Sequence, residues 1–230
     1  MIEAVIFDLD RTLLDRDASV LRFIQHQYDR FERSLGSVSS RTFTSRFIEL
    51  DQQGYVPKDQ VYQQMVDERL LDESMKGELY KDYNDSFKYH CFSFPGLQDV
   101  LHHLKSDGFQ LGIITNGRGR FQMDNMKALG IDSFFDIILI SEVEGVKKPD
   151  PVIFERAMEQ MDLPPEACMY VGDHLKKDVE AAENVGMTAV WKKNEKGDEA
   201  LTNHSIFHLT ELPILLQKLN TKEVRSCYSK

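Results

Sequence analysis

From residue 93 onward the chain alternates between short apolar runs and longer amphipathic ones. "FQLGIIT" (109–115), "FDIILIS" (135–141), "ACMYVGD" (167–173) and "MTAVWK" (187–192) have strand length and composition. Before or between them lie "LQDVLHHLKSDG", "RFQMDNMKALG", "PDPVIFERAMEQMD" and "KKDVEAAENVG", whose apolar residues recur at helical spacing. Gly108 is placed to close the first of these helices and Pro149 and Pro151 to open the third. Strands alternating with helices in this way predict an α/β fold, a parallel sheet with helices on both faces. The apolar start of the chain, "MIEAVIF", supplies a further, first strand.

Residues 16–92 break the alternation. Val20, Phe23, Ile24, Tyr28, Phe31 and Leu35 recur at three- and four-residue steps, as on one helix face. "GSVSS" and "GYVP" interrupt the pattern, and "RTFTSRFIELDQQ", "KDQVYQQMVDERLL" and "ESMKGELYKDYNDSFKYH" resume it. The block is expected to be an all-helical insertion of about four helices, placed just after strand one. The polar end "TKEVRSCYSK" is expected to fray.

A net charge of −10 disfavours binding to nucleic-acid backbones. No apolar run approaches the ~18 residues of a membrane span, and no signal peptide is expected. Cys91, Cys168 and Cys227 form no C-x-x-C pair, so neither a zinc site nor a redox motif is indicated. Cys168 opens an apolar run and is expected in the core. A cytoplasmic location is the expectation. "NGRG" lacks the third glycine of a dinucleotide fingerprint. His102 and His103 are adjacent and cannot share a helix face; His174 follows Asp173.

Strand one ends on "DLD". Side chains alternate along a strand, so Asp8 and Asp10 point the same way, at the rim where parallel sheets bind ligands. Two carboxylates this close each raise the other's pKa unless a cation compensates. The other strand ends bring Thr115, Asp173 and, five residues later, Asp178 to that rim, with Lys147 and Lys148 in the loop between. Carboxylates, a hydroxyl, backbone amides and an ammonium together suit Mg²⁺ and phosphate.

"DLDRTLLD", "ITNG", "KKPDP" and "GDHLKKD", in this order and spacing, resemble the four motifs of the haloacid dehalogenase-like hydrolases. The resemblance covers nearly the whole chain and implies a Rossmann-like sheet of order 5-4-1-2-3, with residues 1–15 and 93–230 as the catalytic core. It puts residues 16–92 in the place of the family's helical cap. It implies Asp8 as the nucleophile that forms an aspartyl-phosphate, and Asp10 as the acid/base. Thr115 and the amide of Asn116 would hold phosphoryl oxygens, and Lys148 would neutralise charge. Mg²⁺ would be held by Asp8, by Asp10 through its carbonyl, and by Asp173, with Asp178 in support or acting through water.

The activity so implied is Mg²⁺-dependent hydrolysis of a small phosphomonoester, with nucleoside monophosphates and sugar phosphates in view. The alternatives are a phosphomutase of the same fold and a non-catalytic phosphate-binding module. The partner expected is a small phosphorylated metabolite, not nucleic acid or membrane; monomer and homodimer stay open. The chain departs from the family at Arg11, where small or polar residues are common. Strand alternation would turn Arg11 away from Asp8 and Asp10, towards an acid such as Asp15.

Overall fold

A computed structural model of the chain describes residues 1–193 and 202–227, with side chains as far as residue 221. Of the end expected to fray, residues 221–227 are helical in backbone, while residues 228–230 and the side chains of 222–227, Cys227 among them, are outside the described residues. Two compact units emerge, Met1–Asp15 with Ser93–Lys230, and Arg16–Phe92.

In chain order, β1 (Ala4–Phe7) precedes the second unit's helices α1 (Arg16–Phe31), α2 (Ser40–Asp51), α3 (Lys58–Asp67) and α4 (Glu73–Ser86). The first unit resumes with α5 (Leu97–Ser106), β2 (Gln110–Thr115), α6 (Gly119–Ala128), β3 (Ile137–Ile140) and α7 (Ser141–Glu144). It continues through α8 (Pro151–Met161), β4 (Cys168–Gly172), α9 (Glu180–Asn184), β5 (Thr188–Lys192), β6 (Ser205–Ile206) and α10 (Leu212–Cys227). Among the described residues no helix is long and apolar enough to cross a membrane.

The strands form one sheet in the order β3-β2-β1-β4-β5-β6, every pair parallel. This corrects the expected 5-4-1-2-3 order by one edge strand. β6 spans only Ser205–Ile206, too short to carry a period-two signal. α10 was not expected either, although Leu212 and Leu216 bury its apolar side.

β1 is buried along its whole length, as a central strand covered on both faces must be. Ala4 and Ile6 join a cluster with Ile153, Phe154 and Ala157 of α8 and Ala181 and Ala182 of α9. Val5 and Phe7 face the opposite side by alternation, and Phe7 meets the Phe135 ring edge-on at 6.4 Å. Fully burying such side chains is worth about 1.5–3 kcal/mol each. Phe7 pairs in register with Ile113 and with Val171; β2 runs on two residues to Thr115 and β4 one residue to Gly172, so the chain leaves all three central strands at the same rim of the sheet.

Asp150 caps α8 by accepting from the Val152 amide at 3.0 Å, with Pro151 in the first turn where its missing N–H is harmless. "KKDVEAAENVG" is not one regular helix. It opens with a π turn over Leu175–Val179, and only Glu180–Asn184 is α-helical.

The second unit packs its helices through aromatic rings, Phe23 on Tyr83 at 5.1 Å and Phe47 on Tyr62 at 5.3 Å. Asp51, buried, takes Arg16 at 2.8 and 3.1 Å and also Lys58. Leu35 is buried as its spacing suggested, but lies past the end of α1 at Phe31.

Candidate active site

Asp8 is the first residue beyond β1, and its amide still donates to the Val171 carbonyl at 2.9 Å. The residue is 6% exposed, and both carboxylate oxygens are engaged: Lys148 Nζ donates to Oδ1 at 2.7 Å, and the Thr12 hydroxyl to Oδ2 at 3.3 Å. Thr12 was not singled out by sequence reasoning. Lys148 also reaches Asp178 Oδ1 at 2.6 Å and the Tyr170 hydroxyl at 2.8 Å, and is 3% exposed. Lys147 is exposed.

Asn116 fixes Lys148 from behind. Its side chain accepts from the Lys148 amide at 2.9 Å and donates to the Lys148 carbonyl at 3.0 Å. Sequence reasoning assigned only the Asn116 backbone amide, and this two-point clamp was missed. Tyr170, which reads as an ordinary strand aromatic, puts its hydroxyl within donating reach of the Ile114 carbonyl at 3.2 Å and Asp178 Oδ1 at 3.3 Å.

Asp178 is drawn inward by the π turn. Its Oδ2 accepts from the His174 amide at 3.0 Å, and His174 Nδ1 accepts from the amides of Lys176 and Lys177. His174 therefore caps the turn. The approach is close enough to dictate a glycine: a Cβ at Gly172 would lie 2.5 Å from the Asp178 Cβ. Asp173 is held through its backbone, where the Trp191 indole donates to its carbonyl at 2.8 Å.

Oxygens of Asp8, Asp173 and Asp178 all lie within 4.8 Å of one another. The Asp10 carboxylate is not part of this group. It instead accepts from Gln122 Nε2 at 2.8 Å, and the same nitrogen donates to Thr115 Oγ1 at 2.8 Å. Gln122 too was missed, because nothing in the sequence distinguishes a buried glutamine from an exposed one.

Arg11 is not where alternation would put it. β1 has already ended at Phe7, Arg11 takes the left-handed φ +63°, and its Nε lies 3.2 Å from Asp173 Oδ2 rather than beside Asp15. The expected outward pairing is thus corrected to an ion pair inside the site.

Burial pushes Asp8 well above the usual carboxylate range; Lys148 opposes this, while Asp178, Asp173 and Asp10 add to it. Burial would pull the Lys148 ammonium down, but Asp178 and Asp8 outweigh it and hold its pKa well above the ordinary lysine value. Asp173 is pushed up to about 7 by burial and then by the charge of Asp178, against the pull of Arg11. Three closely spaced carboxylates, two of them, Asp8 and Asp173, with their ionised forms disfavoured, make a donor set of hard oxygens that fits a small divalent cation such as Mg²⁺.

The Asp173 shift has a stability consequence. Its carboxyl titrates near 7 in the folded protein and near 3.8 ordinarily. Between those values the folded state holds a proton that the unfolded chain has released, so stability falls as pH rises through the window. Asp173→Asn removes that titration. In EDTA the variant should melt close to wild type near pH 4 and above it at pH 8, with the gap opening in between. Thermal melts across pH check this; a constant gap would place the penalty on another group.

A family model described as haloacid dehalogenase-like hydrolase matches residues 5–192. A glyceraldehyde 3-phosphate phosphatase of Pyrococcus furiosus is 39% identical over 152 residues, 63% of each chain. The matched stretch thus spans just under two thirds of that relative. An N-acylneuraminate-9-phosphatase of Mus musculus is 26% identical, with 96% of each chain covered. Among solved structures, a HAD phosphatase from Thermococcus onnurineus superposes with a TM-score of 0.68 at 28% identity, covering 94% of this chain and 98% of that one. The family match spans β1 to β5 and contains Asp8, Asp10, Thr115, Lys148, Asp173 and Asp178, and the chain belongs to the haloacid dehalogenase-like hydrolases.

Proposed function

We propose that the protein is a Mg²⁺-dependent phosphatase of small phosphomonoesters, working through an aspartyl-phosphate on Asp8. The observation that carries this is the buried Asp8 carboxylate gripped by Lys148 at 2.7 Å, with a second carboxylate, Asp10, two residues on. An Asp8 oxygen attacks phosphorus and the bond to the leaving oxygen breaks, with Asp10 giving that oxygen its proton. Asp10, now ionised, takes a proton from water as the water attacks phosphorus, the Asp8–phosphorus bond breaks, and inorganic phosphate leaves. Thr115 and the Asn116 amide are assigned to the phosphoryl oxygens. Lys148 offsets negative charge throughout.

Mg²⁺, when bound, supplies the positive charge that lets the carboxylates stay ionised beside a phosphoryl group. Asp8 and Asp173 are its proposed side-chain ligands, the Asp10 carbonyl a third, and Asp178 a support. The helical unit 16–92 is assigned substrate selection, from its place in the chain between Asp10 and Thr115. The names of the two relatives compared above point to sugar phosphates, and another relative, a pyrimidine 5'-nucleotidase of Escherichia coli, keeps nucleoside monophosphates in view.

A panel of phosphorylated metabolites, read by phosphate release with Mg²⁺ and with EDTA, tests this. We expect turnover of at least one sugar phosphate that stops in EDTA and returns with Mg²⁺. Isomerised but still phosphorylated sugar would favour a mutase, and binding with no turnover would favour a non-catalytic module. Undiminished activity in EDTA would remove the metal from the reaction.

Arg11 gives a separate check on the metal. Its guanidinium sits on Asp173, and the pair is only 13% and 19% exposed. Mg²⁺ must compete with it. Arg11→Gly removes the competitor and places the residue best suited to φ +63°. Mg²⁺ should then bind about fivefold tighter, equivalent to about 1 kcal/mol for the lost ion pair. Calorimetric titration of the metal-free protein reads this without turnover, and equal affinities would show that the pair does not stand in the way.

A further inference from the structure

Gln122 occupies the fourth position of α6, 2% exposed, one helical turn beyond the loop that follows Thr115. The helix holds it rigidly: its amide donates to the Arg118 carbonyl at 3.0 Å, and a Cβ at Gly117 would lie only 2.8 Å from its Cγ. Its side-chain nitrogen meets two acceptors at 2.8 Å each, Asp10 Oδ2 and Thr115 Oγ1. The Asn125 side-chain amide donates to its Oε1 at 3.4 Å.

Chemistry fixes which way this amide faces. In the ionised state that takes a proton from water, Asp10 only accepts hydrogen bonds, so the NH₂ end points at it, and a flipped amide would set oxygen against oxygen. The NH₂ has two hydrogens and two acceptors in reach. The second hydrogen bond uses a lone pair on Thr115 Oγ1. A hydroxyl that accepts from one side has its single proton left for another direction.

We propose that Gln122 is a positioning residue for the reaction: its amide holds the Asp10 carboxylate in line and turns the Thr115 hydroxyl proton towards the phosphoryl oxygens. One side chain thereby ties the acid/base at the end of β1 to the phosphate-holding hydroxyl at the end of β2. The inference rests on the phosphatase reading above, in which Asp10 and Thr115 carry those roles. A glutamine suits the task because it is neutral: a lysine here would compete for the anion, and a glutamate would repel Asp10.

Gln122→Met keeps length and volume and removes both donors. The informative measurement is single-turnover phosphoryl transfer with two leaving groups. An alkyl phosphate needs protonation of its leaving oxygen, whereas p-nitrophenyl phosphate scarcely does. We expect Gln122→Met to slow the alkyl substrate by about tenfold to a hundredfold, part of the ~10²–10⁴-fold that a general acid supplies. The slowing should be several times smaller for p-nitrophenyl phosphate. Combined with Asp10→Asn, it should add little on the alkyl substrate, because the group it positions is already lost.

Circular dichroism and melting confirm that the variant is folded. If it is not, Gln122→Asn, which keeps an amide but falls one methylene short, carries the same comparison. Equal slowing of both substrates, or full additivity with Asp10→Asn, would reduce Gln122 to a packing role and overturn the proposal. A wild-type protein that transfers no phosphoryl group would overturn the phosphatase reading and this inference together; an active wild type with uniform slowing overturns this one alone.

Discussion

Asp8→Asn and Asp8→Ala are expected to leave the protein folded and to lower turnover by about 10⁴-fold or more, the scale reached when a covalent nucleophile is removed. Folding should survive because burial and the neighbouring acids already hold Asp8 well above the usual carboxylate range. Neutralising it relieves repulsion in the metal-free protein. Lys148 keeps its contacts with Asp178 and Tyr170. Phosphate release measured on protein with native circular dichroism decides the matter. A folded Asp8→Ala protein with undiminished turnover would end the assignment, whereas beryllium trifluoride bonded to the Asp8 carboxylate in a crystal would support it.

Lys148→Ala should lower kcat/KM by about 10²–10³-fold, comparable to losing one aligned donor in an electrostatic catalytic site. Lys147→Ala should change it less than twofold, roughly, since exposed surface substitutions seldom matter. The difference follows from burial: Lys148 is 3% exposed and bridges Asp8 and Asp178, whereas its neighbour faces solvent. Lys148→Ala should also lower the melting temperature, because breaking a buried ion pair by removing one partner costs about 3–5 kcal/mol. The sign is set by the raised lysine pKa, which makes this stabilisation fully present at pH 7 and lost only as pH rises through the folded-state value. Matched kinetics and melts of the two alanine variants check both effects. Equal kinetic losses would show that the lysines had been confused.

The site is legible in the sequence to the extent that its chemistry is local. Asp8, Asp10, Thr115 and Asp173 stand at or within three residues of a strand end, where periodicity alone predicts a shared rim, and Asp178 follows in the turn after β4. Lys148 could be preferred to Lys147 only through the family resemblance. What escaped is what depends on distant partners. Gln122 meets Asp10 across 112 residues of chain, and Tyr170 meets Lys148 across 22. Neither contact leaves a trace in local pattern. Arg11 was misdirected by a rule that fails at its own edge: alternation holds for extended backbone, and φ +63° is not extended. The fold was legible where strands were four to six residues long; β6, with two, was not.

The place of β1 between β2 and β4 has a bearing on how the protein behaves when it breathes. β1 is bonded along both edges, and its ladder continues one residue further through the Asp8 amide on Val171. Amides so placed exchange their hydrogens for solvent deuterium only in the largest and rarest openings of a protein. The Asp8 backbone amide therefore belongs with the slowest-exchanging part of the molecule. Partial openings that loosen edge strands or outer helices leave the Asp8 backbone in place, and it is released only when the central sheet itself comes apart.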